Sequence, residues 1–107
     1  MSAVKILVDE FIAKHKVAGF SKSYCPYCQK AKTALEKFTY KPDAFGWLEI
    51  ENRPDCQEIQ DYLLSITGGR SVPRVFIGGK FFGGGDDTAK AATDGRLEKL
   101  LAEAGAI

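Results

Sequence analysis

The chain of 107 residues predicts a single α/β domain built around a mixed sheet. In its first half a strand, a helix and a second strand follow one another, which predicts a parallel pair of strands. In its second half a hairpin around two glycines adds antiparallel strands to the sheet. The length allows one hydrophobic core, and no internal repeat or low-complexity segment divides the chain.

The first half predicts two helices and two strands. Apolar residues at helical spacing form a first helix that ends near residues 14–16, and residues 17–20 form a short strand. We expect Gly19, in the middle of that strand, to cost stability. Alternation of apolar and acidic residues over 47–51 predicts the second strand. The apolar face of the helix between the two strands consists of Cys28, Ala31, Leu35 and Phe38.

The second half predicts a helix, the hairpin and two further helices. Asp55 with Glu58 resembles a capping box, and the helix it opens ends at the glycine pair 68–69. The hairpin spans residues 73–82, and a glycine run at 83–85 leads into a short helix. The apolar side of the capped helix consists of Ile59, Tyr62, Leu63 and Ile66, and that of the last helix of Leu97, Leu100, Leu101 and Ala104.

Composition and charge exclude several classes of function. Apolar residues make up 45% and charged residues 27% of the chain, as in ordinary globular proteins. A formal net charge of +1 without a Lys/Arg run argues against a nucleic-acid partner. No stretch approaches the roughly 18 apolar residues of a membrane span, and charged residues break the N-terminal apolar stretch where a signal peptide would need its core. We expect a cytoplasmic monomer with neither a nucleic-acid nor a membrane partner.

The three cysteines indicate redox chemistry. Cys25 and Cys28 lie three apart and Cys56 stands alone, which is too few for a disulfide framework. Structural zinc uses the same spacing but needs four ligands, and only the isolated Cys56 and His15 remain to supply them. We therefore expect no bound metal, and we interpret Cys56 as an incidental, partly buried thiol and His15 as a helix-terminal or surface residue.

The Cys-Pro-Tyr-Cys segment supplies two thiols with different roles. Cys25 follows a strand and precedes a helix whose first residue is Pro26, a favoured position for proline. The unpaired amides and the dipole at that helix end stabilise a thiolate on Cys25, and Lys22 adds positive charge. Cys28 lies one turn later, within disulfide reach, and faces the core, so it should be the less acidic thiol. This predicts Cys25 as the nucleophile and Cys28 as the resolving thiol.

The sequence also resembles a known family. Residues 20–28, which read Phe-Ser-Lys-Ser-Tyr-Cys-Pro-Tyr-Cys, are similar to the active-site segment of dithiol glutaredoxins. Residues 58–63, 68–80 and 83–87 match further motifs of that family in the same order, so the resemblance spans nearly the whole chain. It implies a thioredoxin-like fold, with a four-stranded mixed sheet flanked by about five helices. It also implies an enzyme that reduces protein–glutathione mixed disulfides and protein disulfides, with glutathione as co-substrate and no tightly bound cofactor.

The resemblance implies a glutathione site built from several separate segments of the chain. Lys22, Gln60 and Arg70 would meet the glycine-end carboxylate. Val72, ahead of a cis proline at Pro73, would pair its backbone with the cysteinyl unit. As an alternative, Lys22 and Arg70 are ordinary solvated charges and Gln60 an exposed helix glutamine. Ser71 stands where threonine is common, which should matter little.

The γ-glutamyl end would lie against the last of these motifs. Backbone amides near Gly85 and Asp86, at a helix N-terminus, would bind its carboxylate, and Asp87 its ammonium. Tyr27 would line the thiol pocket. As an alternative, the two aspartates cap the helix, Asp86 above all, and Tyr27 is a plain surface aromatic. Gly85 stands where many relatives carry cysteine or serine, so a contact through its backbone survives and one through a side chain does not.

Two other functions compete with this one. A thioredoxin-like reductase fed by a flavoprotein would share the cysteine motif, but Lys22, Arg70 and the glycine-aspartate run make sense as a tripeptide site. An iron–sulfur carrier would bind a cluster between two subunits with glutathione as co-ligand. Pro26 stiffens the loop and should hinder that assembly, so a colourless protein after anaerobic purification would favour the enzyme.

Overall fold

Five helices and four strands follow one another along residues 2–107, the part of the chain that the computed structural model describes. Their order is the one that the sequence predicts. No helix among these residues is long and apolar enough to cross a membrane. The elements are α1 Ala3–Lys14, β1 Val17–Ser21, α2 Pro26–Leu35, β2 Phe45–Glu49, α3 Cys56–Thr67, β3 Arg74–Ile77, β4 Lys80–Gly83, α4 Gly85–Asp94 and α5 Arg96–Glu103.

The four strands form one mixed sheet in the order β2-β1-β3-β4. Strand β1 pairs with β2 in parallel and with β3 in antiparallel orientation, and β3 pairs with β4 in antiparallel orientation. The hairpin turn places Gly78 at φ 62° and Gly79 at φ 81°, a left-handed conformation that glycine adopts without steric cost. The structure thus confirms the predicted mixed sheet and its glycine turn.

Each face of the sheet carries its own apolar cluster because side chains alternate along a strand. Val17 of β1 points to the face that α2, α4 and α5 cover, where Leu35 and Leu101 are fully buried. Ala18 and Phe20 point to the opposite face, which α1 and α3 cover. Strand β1 is buried over all five residues, and its end is therefore a fixed point for the segment that follows it.

A contact with a distant residue explains the glycine at position 19, which the local sequence did not reveal. It faces Trp47 across the parallel pair of β1 and β2, and the indole ring occupies the space that a Cβ of Gly19 would need. Trp47 in turn stacks on Phe45, with ring centroids 6.0 Å apart. The missing side chain of Gly19 therefore makes room for the tryptophan, a role that the expected cost in stability does not include.

Several element boundaries differ from the sequence-based expectation. Strand β2 begins at Phe45, which pairs with Val17, and ends at Glu49. Glu51 therefore lies in the turn after the strand instead of within it. Helix α2 ends at Leu35, and Phe38 packs against the core from outside the helix. Ile66 was expected on the apolar side of α3 but is 42% exposed.

The capping box predicted at the start of α3 does not form. Asp55 is the residue before the helix, but its side chain makes no capping hydrogen bond. The guanidinium of Arg53 donates to both carboxylate oxygens of Asp55, at 2.8 and 3.1 Å, and holds that side chain away from the helix amides. The opposite end of α3 agrees with the prediction, since Gly68 ends the helix in the left-handed conformation.

The His15 side chain contacts a distant segment of the chain. It follows the last residue of α1, and its Nδ1 lies 2.8 Å from the carbonyl oxygen of Asp43. Its ring also lies directly over Gly46, where a Cβ would collide with it. The histidine therefore joins the end of α1 to the segment that enters β2.

We predict that Gly19→Ala destabilises the fold by about 1–3 kcal/mol, the usual cost of overpacking a core. Urea denaturation monitored by circular dichroism measures this free energy of unfolding. In a Trp47→Leu background the same substitution should cost clearly less, because the smaller side chain frees the space. An equal cost in both backgrounds would show that the indole ring is not what requires a glycine at this position.

Candidate active site

The segment after β1 brings Cys25 to the start of α2. A turn forms after the strand, in which the Cys25 N–H donates to the Lys22 carbonyl at 3.0 Å. Cys25 has extended backbone angles and is the last residue before the helix, and Pro26 occupies the first helical position. The Gln29 N–H donates to the Cys25 carbonyl at 3.0 Å and closes the first helical turn. Cys25 therefore lies where the sequence predicts, at the positive end of the helix dipole.

The two thiols of the motif differ in burial. Cys28 is 1% exposed on the buried face of α2, while Cys25 is half-buried. Burial raises the pKa of the Cys28 thiol to about 11, and the neighbouring Cys25 thiol also raises this pKa. The Lys22 N–H, whose nitrogen lies 3.5 Å from the Cys28 sulfur, acts in the opposite direction. The prediction that Cys28 is the less exposed thiol is confirmed, and burial acts on its acidity in the predicted direction.

The backbone before β3 lies beside Cys25. The peptide bond between Val72 and Pro73 is cis, as the family resemblance implies. The Cys25 sulfur lies 3.9 Å from the Val72 carbonyl oxygen, within the range of a thiol hydrogen bond. A chain extending from the Cys25 sulfur can therefore reach the backbone polar groups of Val72.

A groove of about 370 Å³ opens next to this thiol pair. It contains six of the nine residues predicted to bind the substrate, whereas Lys22, Gln60 and Arg70 do not line it. Sequence reasoning missed Arg74, which also lines the groove. Its guanidinium lies 5.0 Å from the Phe81 ring centroid. Its position as the second arginine of the 68–80 motif was the available signal. The groove is lined by Tyr27, Ser71, Val72, Pro73, Arg74, Gly84, Gly85, Asp86 and Asp87.

Gly85 lies at the closest approach of α4 to α2. A Cβ at this position would lie 2.5 Å from the Tyr27 carbonyl oxygen and 3.0 Å from the Tyr27 Cβ. A larger residue would therefore force the two helices apart, because a backbone oxygen cannot swing away like the end of a side chain. Glycine at this position therefore allows the start of α4 to pack tightly against the start of α2.

Only one of the two aspartates at the start of α4 forms the cap that the alternative interpretation assigned to both, and above all to Asp86. Asp87, not Asp86, caps the helix, since its Oδ2 accepts a hydrogen bond from the Gly84 N–H at 3.0 Å. Asp86 forms an ion pair with Lys30 of α2, with Nζ and Oδ1 2.9 Å apart. The i,i+3 spacing from Gly84 to Asp87 is what allows that carboxylate to reach back to the helix end.

Gln60 is a buried residue that braces a loop, not an exposed helix glutamine. Its Nε2 donates to the Arg70 carbonyl at 2.9 Å, and its Oε1 accepts from the Cys56 thiol at 3.7 Å. Both ends of the amide are therefore used within the protein. Cys56 is half-buried, as expected, and contributes to this brace. Gln60 fixes the start of the segment that leads to Val72.

The cations predicted to bind a carboxylate lie at the protein surface. The Nη2 atom of Arg70 donates to Gln57 at 2.9 Å and to Asp61 at 3.0 Å, both on α3. Lys22 is half-buried, and its charge lowers the pKa of Glu51, although the main cause of that shift is a hydrogen bond from Ser23. Among residues 2–107, no three His, Cys, Asp or Glu side chains come together as a metal site.

Comparison with known proteins places this geometry in one family. The glutaredoxin family model matches residues 17–82. Glutaredoxin-C4 of Arabidopsis thaliana is 46% identical over 98 residues, which cover 92% of this chain and 70% of the relative.

Solved structures agree with the sequence comparison. Oxidized glutaredoxin 2 from Chlamydomonas reinhardtii is 57% identical, with a TM-score of 0.89, and the match covers 97% of this chain and 95% of the other. A buckwheat glutaredoxin–glutathione complex is 35% identical, with a TM-score of 0.86 and coverage of 97% and 92%. The fold and the positions of the helices around the groove are therefore those of a glutaredoxin.

We predict that Cys28 alkylates slowly at pH 8. A pKa raised from 9.0 to about 11 lowers the thiolate fraction roughly a hundredfold at that pH. Iodoacetamide labelling of a Cys25→Ser/Cys56→Ser variant, followed by mass spectrometry, measures this rate against a cysteine peptide. In 6 M guanidinium chloride the difference should vanish. A native rate equal to that of the peptide would show that Cys28 is not protected.

Proposed function

Since this chain belongs to the glutaredoxin family and is a glutathione-dependent thiol–disulfide oxidoreductase, we propose that Cys25 is its nucleophile and Cys28 its resolving thiol. The difference in burial between the two thiols carries this assignment. Cys25 is accessible at the start of α2 beside the groove, while Cys28 is 1% exposed. A substrate disulfide can therefore reach the first sulfur and not the second.

Reduction of a protein–glutathione mixed disulfide needs only Cys25. Its thiolate attacks the sulfur that belongs to glutathione, so that a Cys25–glutathione disulfide forms and the substrate leaves as a thiolate, which takes a proton from water. The thiolate of a second glutathione attacks the bound glutathione sulfur. The products are oxidised glutathione and a regenerated Cys25 thiolate.

Reduction of a protein disulfide uses both cysteines. Cys25 attacks one sulfur of the substrate and releases the other as a thiol. The Cys28 thiolate then attacks the Cys25 sulfur, which breaks the bond to the substrate and forms the Cys25–Cys28 disulfide. Two glutathione molecules reduce this disulfide in turn. The position of Cys28 one helical turn after Cys25 supports this second attack.

We assign the groove next to Cys25 to the cysteinyl and γ-glutamyl parts of glutathione. The Val72 backbone would pair with the cysteinyl unit, because its carbonyl lies 3.9 Å from the Cys25 sulfur. The N–H groups of Gly85 and Asp86, at the start of α4, would bind the γ-glutamyl carboxylate. Asp87 would attract the ammonium with the carboxylate oxygen that the cap does not use. A buckwheat relative was solved as a complex with glutathione, which supports the presence of a glutathione site in this fold.

The glycine end of glutathione would lie toward Lys22 and Arg70. Gln60, by its hydrogen bond to the Arg70 carbonyl, would set the position of this loop instead of contacting the ligand. Tyr27, which is 57% exposed, would cover the thiol from the side of α2.

The cellular partners follow from the two reactions. They are glutathionylated proteins and proteins with a reducible disulfide, to which the enzyme passes electrons from glutathione. Pro26 in the first turn of α2 supports this enzymatic role over that of a cluster carrier, since it stiffens the loop. The monomeric state and the cytoplasmic location stay predictions.

We predict that the two active-site cysteines separate the two reactions. Cys25→Ser should abolish both activities, since no nucleophile remains. Cys28→Ser should keep or raise the reduction of a glutathione mixed disulfide, because the competing internal disulfide cannot form, and should lose most protein disulfide reduction. Coupled assays with glutathione reductase on both substrates measure this, with Cys56→Ser as the cysteine control. A Cys28→Ser variant as inactive as Cys25→Ser toward the mixed disulfide would refute the one-thiol mechanism.

We predict that charge reversal at Lys22 or Arg70 weakens glutathione binding more than it slows the chemistry. Lys22→Glu and Arg70→Glu should raise the KM for glutathione about threefold to tenfold with a smaller change in kcat, because each repels the carboxylate that the native residue attracts. Lys41→Glu changes the net charge equally in a loop away from the groove and should have little effect. An unchanged KM in both reversal variants would remove these residues from the site.

A further inference from the structure

Glu51, in the turn after β2, binds the loop that precedes Cys25. Its Oε1 accepts a hydrogen bond from the Ser23 N–H at 3.2 Å, and its Oε2 accepts one from the Ser23 hydroxyl. The side-chain amide of Gln29 on α2 donates to the Ser23 carbonyl at 2.8 Å. Ser23 is thus fixed on one side by the end of β2 and on the other by α2. We call these three residues the Ser23 brace.

The residues immediately before Ser23 act on the resolving thiol. The Lys22 N–H lies 3.5 Å from the Cys28 sulfur, and the Ser21 hydroxyl also donates to this sulfur. Both donors favour the thiolate and oppose the effects of burial and of the neighbouring Cys25 thiol. Ser21 is fixed as the last residue of β1, whereas Lys22 lies in the turn that follows. The peptide group that carries the Lys22 N–H is anchored at its Ser21 carbonyl, which accepts from the Ile50 N–H at 2.8 Å. On the other side of Lys22, the direction of this N–H depends on what holds residue 23.

We propose that Glu51 is a positioning residue for the resolving step. By holding Ser23 it keeps the Lys22 N–H directed at the Cys28 sulfur while charge develops there. This inference rests on the proposed function, since it requires that Cys28 attack a disulfide at Cys25. It adds a residue from the turn after β2, remote from both cysteines in sequence, to the machinery of the second half-reaction.

The step itself explains why such a donor matters. Cys28 gives up its proton to water, its thiolate attacks the Cys25 sulfur, and the bond from Cys25 to glutathione or to a protein thiol breaks. The leaving thiolate takes up a proton. The negative charge therefore starts on a sulfur that is 1% exposed, where water cannot stabilise it. A backbone N–H aimed at that sulfur supplies the missing stabilisation, and the attack of Cys25 on a substrate does not use it.

The sign of the effect separates positioning from simple electrostatics. Glu51 carries a negative charge, and removing an anion near a thiol lowers the pKa of that thiol by itself. Loss of the brace has the opposite effect, because a misdirected Lys22 N–H no longer stabilises the thiolate. The proposal therefore requires Glu51→Ala to raise the pKa of Cys28 although it removes a negative charge.

The first experiment titrates Cys28 directly. A Cys25→Ser/Cys56→Ser protein leaves one thiol, and the chemical shift of its ¹³C-labelled Cβ reports the thiolate fraction against pH. Glu51→Ala in this protein should raise the pKa, and Glu51→Gln, which keeps an acceptor oxygen for Ser23, should shift it much less. Glu10→Ala, an exposed carboxylate lost from α1, is the charge control and should shift nothing. A lowered or unchanged pKa in Glu51→Ala would overturn the proposal.

The second experiment follows the step in time. Reduced protein with both active-site cysteines is mixed with oxidised glutathione. One glutathione is released when Cys25 forms a disulfide with the other half of the reagent. A second is released when Cys28 displaces the glutathione bound to Cys25. For each unit by which the pKa of Cys28 rises, the second release should slow about threefold, since the thiolate fraction falls tenfold and its nucleophilicity rises in part. The first release should change much less.

The outcomes distinguish a wrong role for Cys28 from a wrong role for Glu51. If the native protein shows no second release, the proposed role of Cys28 is wrong, whatever the titration gives. If the native protein shows both releases and Glu51→Ala shows both at the native rates, only the role of Glu51 is wrong. Equal slowing of both releases would also refute it, because it would indicate a general disturbance of the site. Selective slowing that Glu51→Gln largely restores is the expected result.

Discussion

The contact between the first turns of α2 and α4 is the constraint on which the candidate site depends. Gly85 permits it, since a Cβ there would lie 2.5 Å from the Tyr27 carbonyl oxygen. Two helix N-termini are thereby brought to one groove, that of α2 behind Cys25 and that of α4 behind Gly84. Each presents unpaired N–H groups and the positive end of a dipole. The two ends of the proposed glutathione site thus each lie at the start of a helix, the sulfur at α2 and the γ-glutamyl carboxylate at α4.

The difference in burial gives two chemically identical thiols different roles in the proposed mechanism. One helical turn separates Cys25 from Cys28, which is enough to leave the first sulfur accessible and to place the second in the core beneath the sheet end. Because a buried thiolate is costly, Cys28 stays protonated while Cys25 meets the substrate. In the proposed mechanism Cys28 therefore reacts after a disulfide has formed at Cys25, and the difference in burial accounts for the order of the two attacks.

Local patterns were sufficient to predict the order of the elements, the glycine turn of the hairpin and the start of α2 at Pro26. Each of these depends on residues close together in the chain. The roles of Gly19 and Gln60 were not accessible in this way, because Trp47 and Arg70 decide them from distant segments. The ion pair of Asp86 with Lys30 on α2 likewise depends on a distant segment, whereas the cap formed by Asp87 follows from its local spacing to Gly84.

Two charged side chains near the proposed glutathione site, Arg70 and Asp86, already form ion pairs within the protein, and this shapes how a charged substrate would bind. Arg70 is paired with Asp61, and the two side chains are 42% and 69% exposed. Exposed pairs contribute little free energy because water screens them, so a substrate carboxylate can take over the arginine at low cost. The same screening limits what the new contact gains. In the proposed binding mode, firm positioning would therefore come from the backbone of Val72 and the start of α4, while the surface charges would favour a ligand with two carboxylates and still allow the product to leave.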